Sequence, residues 1–115
     1  MRRGEIYLID YEPVRGSEAN KARPSVIVSN DAANQSVQRM GRGVVTVVPM
    51  ASNTARVFPF QVLLQAAECN LAKDSKAQCE QVRAVAVERV RHRIGVVPAQ
   101  RMAEVDAALR RHLAL

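Results

Sequence analysis

GEIYLIDYEPVRGSEANKARPSVIVSN, residues 4–30, sets two strand patterns on either side of a small charged loop. Ile6, Leu8 and Asp10 alternate with Tyr7, Ile9 and Tyr11, a period of two that puts the two sets on opposite faces of a strand. Val26, Ile27 and Val28 form a β-branched run, which reads as a second strand. Pro13 and Gly16 break regular structure between them. Pro24 has no amide hydrogen, so it belongs at the first residue of the second strand or on an edge. It also drives Arg23 towards an extended backbone, and a guanidinium held at a strand mouth can face a ligand.

Further along the chain, Ser29-Asn30-Asp31 offers capping side chains ahead of AANQSVQRM, a short helix or long polar turn that Gly41 and Gly43 end. Residues 44–50, VVTVVPM, read as a strand closed by Pro49, and residues 57–64, VFPFQVLL, as another with Pro59 near its start. The small polar connection from Ala51 to Arg56 is a second loop suited to ligand contact. Residues 65–77 lack a clean period and read as a loop with a turn of helix. Residues 78–86 alternate loosely as a strand containing Glu80, and VERVRHRIGVV suggests a helical turn followed by a short strand at 94–97. Pro98 opens a terminal helix whose Met102, Val105, Leu109 and Leu113 share one face. Five or more short strands with one terminal helix predict a small, strongly curved, barrel-like sheet in the mainly β or α+β class.

At 115 residues the chain is expected to form one domain, residues 1–115, large enough to bury a core unaided. Its formal charge of +6 favours a polyanionic partner, while aromatics at only 3% argue against a platform that stacks successive bases. Binding then rests on cations and hydrogen bonds. No signal peptide precedes Cys69 and Cys79, so the expectation is a cytoplasmic protein with reduced thiols. The two cysteines with His92 and His112 lack the spacing of a zinc site, so neither metal nor other cofactor is expected. No apolar stretch approaches the ~20 residues of a membrane helix.

GEIYLIDYEP, then GSE with Arg23-Pro24, then VVPMASN, PFQVLL and EQVRAVAVERV occur in an order that resembles the MazF/PemK family of toxin endoribonucleases. That resemblance implies an SH3-like barrel of the CcdB/PemK type with a C-terminal helix, and a homodimer. It also implies metal-independent, sequence-specific cleavage of single-stranded RNA to 2',3'-cyclic phosphate and 5'-hydroxyl ends, with neutralisation by an acidic MazE-like antitoxin. Arg23 matches the family's catalytic Arg, whose planar, permanently charged fork suits an oxyphosphorane.

Ala51 stands where the family carries a Thr, so a hydroxyl must come from Ser52, taken as the second catalytic residue, or from Thr54. Losing one such donor typically costs about 10²- to 10³-fold in rate. Glu18 is the candidate to handle the proton, since neither His92 nor His112 is placed for it. Matching the family's base-contacting positions points to Asp74, Ser75, Lys76, Glu80 and Gln81, joined by Asn53 and Asn20. Lys21, Lys76 and Arg83 are the expected phosphate contacts. Two alternatives stay open: a CcdB-like toxin that binds gyrase, and a catalytically impaired RNA-binding member, which Ala51 would explain.

Overall fold

A computed structural model of the chain describes residues 1–11 and 22–115. Strand β1 (Glu5–Asp10) pairs antiparallel with β2 (Ala22–Ile27), Ile6 opposite Val26 and Ile9 opposite Arg23. Helix α1 (Asp31–Met40) follows, with the Asn30 side chain accepting from the Ala33 amide at 2.8 Å and Gly41 closing it at φ 70°, a left-handed conformation that glycine adopts without strain. The remaining elements are β3 (Val44–Ala51), β4 (Gln61–Leu64), the short helix α2 (Ala66–Cys69), β5 (Ser75–Gln78), β6 (Arg83–Ala86), β7 (Val90–Val96) and α3 (Ala99–Leu113).

The strands join in the order β4-β5-β3-β2-β1-β7, and β6 also pairs with β3. The long strand β3 is the corner of the fold. One edge of it carries β2, while the other carries β6 from Val44 to Val47 and then β5 at Met50 and Ala51. Between β5 and β6 the chain turns through a 3-10 segment, Cys79–Gln81, which redirects β5 away from β6 and towards β4. The sheet therefore curves strongly, as the patterning predicts, yet stays open: β4 and β7 end the path without pairing to each other.

Alternation along the strands divides the core in two. Ile6, Val26, Val48, Met50, Val62, Leu64 and Ala77 face α3, which contributes Val105 and Ala108. Ile9, Ile27, Val45, Val47 and Val85 form the opposite cluster, flanked by Tyr7, Tyr11 and Val37. The two alternating sets of β1 separate as their period requires.

Several boundaries differ from the sequence reading. Pro49 does not close β3, because it falls where the neighbouring edge is already interrupted, between the Val47–Arg83 and Met50–Ala77 pairs. Pro24 lies inside β2, one residue beyond the last β2–β3 pair, Ser25 with Pro49. The Val28 amide donates to the Thr46 carbonyl, which directs even-numbered β2 residues towards β3; Pro24 would be the next of these donors and has no hydrogen to give. Residues 57–60 precede β4 and are not part of it, residues 75–77 are strand, and Glu80 sits in the 3-10 turn. Strand β7 is longer than expected, and Leu113 is half exposed beyond the part of α3 that packs on β4. Cys69 and Cys79 are buried and unpaired, and burial pushes their thiols up to about 11 and about 12. Among the described residues no helix is long and apolar enough to cross a membrane.

Candidate active site

The β2–β3 ladder ends at Ser25 and Pro49, and a cleft of about 570 Å³ lies beside its end. Arg23, Pro24, Met50, Ala51, Ser52 and Asn53 line it from the two strand ends, and Lys73 and Ser75 from the approach to β5. The cleft exists because the ladder stops: Pro24 cannot supply the hydrogen bond that would continue it.

Strand register shows which side chains share a surface. Arg23, Ser25 and Ile27 alternate onto one face of β2, and Ser25 is opposite Pro49. Continuing that register sets Ala51 opposite Arg23, and Ala51 in turn pairs with Lys76 on β5. Arg83 pairs with Val47 and takes the same face. One side of the curved sheet thus carries three cations, Arg23 and Lys76 on either side of Ala51 and Arg83 four residues along β3, opposite Val47. Arg23 is exposed and makes no side-chain hydrogen bond or ion pair among the described residues, in contrast to Arg3, Arg91, Arg93 and Arg101, which pair with Asp106, Asp10, Glu5, and both Glu68 and Glu104. Lys76 Nζ donates to the Arg56 carbonyl at 2.8 Å, and the Arg83 guanidinium lies 5.1 Å from the centre of the Tyr11 ring.

Of the sequence candidates, Arg23, Ala51, Ser52, Asn53 and Ser75 line the cleft, and Lys76 and Arg83 share the face of Arg23. Asn53 Oδ1 accepts from the Ala55 amide at 3.2 Å and Thr54 is half-buried in the same loop. Ser75 is largely buried with its hydroxyl on the Lys73 carbonyl. Asp74 is turned away: its carboxylate accepts from the Ala66 amide at 2.8 Å and holds the start of α2. Glu80 and Gln81 are also apart, in the 3-10 turn against α3. Glu80 accepts from Gln61 Nε2 at 2.7 Å and lines a second cavity with Phe60, Arg111 and His112. Glu18, Asn20 and Lys21 lie outside the described residues.

The sequence reading missed Lys73 and Tyr11. Lys73 was legible as one residue before the Asp74-Ser75-Lys76 stretch, whereas nothing local in the sequence signals that Tyr11 meets Ser25. Tyr11 OH and Ser25 Oγ are 2.5 Å apart. Among the described residues no three His, Cys, Asp or Glu side chains converge as a metal site.

Comparison with known proteins gives the chain a family. The profile of PemK-like, MazF-like toxins of type II toxin-antitoxin systems matches residues 2–113. The chain is 56% identical over 115 residues to the endoribonuclease MazF9 of Mycobacterium tuberculosis, covering 100% of this chain and 98% of that one. It is 34% identical over 109 residues to an endoribonuclease MazF of Staphylococcus epidermidis, covering 95% and 88%. Among solved structures, a mycobacterial endoribonuclease in complex with its cognate antitoxin superimposes with a TM-score of 0.76 at 22% identity, covering 100% of this chain and 96% of that one. Both sequence relatives are named endoribonucleases, which disfavours the gyrase-binding alternative.

Proposed function

The chain belongs to the PemK-like, MazF-like toxins of type II toxin-antitoxin systems, and from that premise we propose that it is an endoribonuclease toxin cutting single-stranded RNA without a metal ion. Residues 1–115 act as one toxin domain, working in the cytoplasm where its RNA substrate is found. The observation that carries the reading is Arg23, a cation at the mouth of the cleft without a side-chain partner among the described residues.

Cleavage needs no outside nucleophile. The 2'-oxygen of the ribose attacks the adjacent phosphorus, the bond from phosphorus to the 5'-oxygen breaks, and a cyclic phosphate and a 5'-hydroxyl result. Negative charge builds on the non-bridging oxygens, and Arg23 is suited to stabilise it because its fork keeps its charge and donates two hydrogen bonds in one plane. Ser52 and Asn53 bring a hydroxyl and an amide to the cleft at the end of β3, where we assign them to the RNA chain. Lys76 and Arg83 extend the positive face along the strand, and we assign them to flanking phosphates. Ser75 in the cleft, and Glu80 and Gln81 at the turn, remain the assigned base readers; Asp74 is committed to α2.

A homodimer is proposed on the family's pattern. Val57, Phe58 and Leu63, each about two-fifths exposed beside the terminal strand β4, are the apolar side chains that it would cover. An acidic antitoxin segment is proposed to cover Arg23, Lys76 and Arg83 in place of RNA.

The test is cleavage of a long single-stranded RNA by the purified protein in excess EDTA, beside Arg23→Ala, with fragment ends mapped. Discrete cuts with cyclic-phosphate ends that vanish in Arg23→Ala are expected. Intact RNA with the unaltered protein would favour the impaired RNA-binding alternative, for which Ala51 is the reason.

A further inference from the structure

The face that carries Arg23 also holds a pair of hydroxyls, those of Tyr11 and Ser25. Tyr11 packs against the Ile9, Ile27, Val45, Val47 and Val85 cluster, and the Arg83 guanidinium covers its ring at 5.1 Å. Its hydroxyl meets Ser25 Oγ at 2.5 Å, and Ser25 is fully buried two residues along β2 from Arg23, on the same face. Ser25 Oγ also reaches the Arg23 carbonyl, at 3.4 Å.

A pentacovalent phosphorane spreads its charge over two non-bridging oxygens, so donors are needed on more than one side. Ala51, which the register sets opposite Arg23, has none to offer. We propose that the Tyr11 hydroxyl is a further catalytic donor to the scissile phosphate, presented on the Arg23 face by Ser25.

The hydroxyl pair can change direction at small cost. With Ser25 donating to the Arg23 carbonyl, Tyr11 donates to Ser25. With phosphate present, Ser25 turns to donate to the Tyr11 oxygen, which frees the Tyr11 hydrogen for the ligand. Among the described residues the only protein bond given up is the 3.4 Å contact, near the outer limit of useful hydrogen-bond geometry. Burial raises the Tyr11 pKa, so the phenol keeps its proton at neutral pH and acts as a donor. Arg83 stacked on the ring holds its plane without using the hydroxyl.

This assignment rests on the endoribonuclease reading, and single-turnover cleavage of RNA separates the two. Tyr11→Phe keeps the ring and its stack but removes the donor; its rate constant is expected to fall about 10- to 100-fold with KM changed less than about threefold. Ala51→Thr, placed opposite Arg23, is expected to recover about tenfold or more in the Tyr11→Phe background. Equal rates for Tyr11→Phe and the unaltered protein, with Arg23→Ala inactive, would overturn the Tyr11 role and leave the nuclease reading standing. A slowed Tyr11→Phe whose KM rises in step, or which Ala51→Thr does not restore, would also overturn it, since a purely structural role gives that outcome. Absence of cleavage by the unaltered protein would instead overturn the reading beneath it.

Discussion

Gly95 is fixed by the backbone of a distant residue. A Cβ built there would stand 2.0 Å from the Cys69 carbonyl oxygen, and the Asn70 side chain donates to the neighbouring Ile94 carbonyl at 2.9 Å, so the end of α2 lies directly on β7. Backbone on both sides cannot yield as a flexible side chain would. Gly95→Ala is expected to cost about 1–3 kcal/mol, read as a lower urea midpoint with an unchanged m value. The sequence offers no sign of this, because the contact joins residues 26 apart that share no local motif. Arg23 is the contrary case: the proline after it and the loop before it are local signals, and the strand mouth they imply is where it lies. Ser25 shows the boundary between the two. Its place on β2 follows from Val26 and Ile27, but its partner Tyr11 reaches it only once β1 has folded back.

Elements with strong local signals formed where expected, and those whose identity depends on a neighbour did not. The Asn30 cap and Gly41 stop bound α1 within one residue of the reading, since both act through backbone groups of the helix itself. Asn30→Ala is expected to lower stability by about 1 kcal/mol by leaving the Ala33 amide without its acceptor, measurable as a shift in thermal midpoint. Residues 75–86 read as loop then strand because their composition alternates only loosely. The structure makes them strand, 3-10 turn and strand because β3 offers one edge to β6 and, past Pro49, to β5, which β4 then joins. That bend puts Ser75 in the cleft and Glu80 against α3, so the stretch proposed to read bases divides between two surfaces. Glu80→Gln, which keeps an acceptor for Gln61 while removing a charge, is therefore expected to alter which sites are cut more than the rate at the best site, as judged by sequencing fragment ends.

The whole molecule joins its N-terminus, sheet and last helix into one packed unit. Arg3 links the chain start to α3 through Asp106 at 2.7 Å, though partly exposed pairs of this kind contribute at most about 1 kcal/mol each. Apolar burial on both sides of the sheet does more, and it includes the two cysteines. Cys69 and Cys79 titrate from 9.0 in the unfolded chain but are pushed up to about 11 and about 12 in the fold. Groups raised in this way stabilise fully below pH 9, and that contribution is lost as pH rises towards the folded values. Urea midpoints are thus expected to decline above pH 9, and Cys79→Ala is expected to flatten the decline even if it lowers stability at pH 7. The run of short strands with one terminal helix foretold the curved mainly β fold, whereas the open ends of the sheet depend on strand order, which no single segment encodes.

The end of the β2–β3 ladder at Pro24 carries a kinetic consequence. Where proline has no amide hydrogen to give, no β2–β3 hydrogen bond holds the opening shut at that position, and none has to break there before RNA binds.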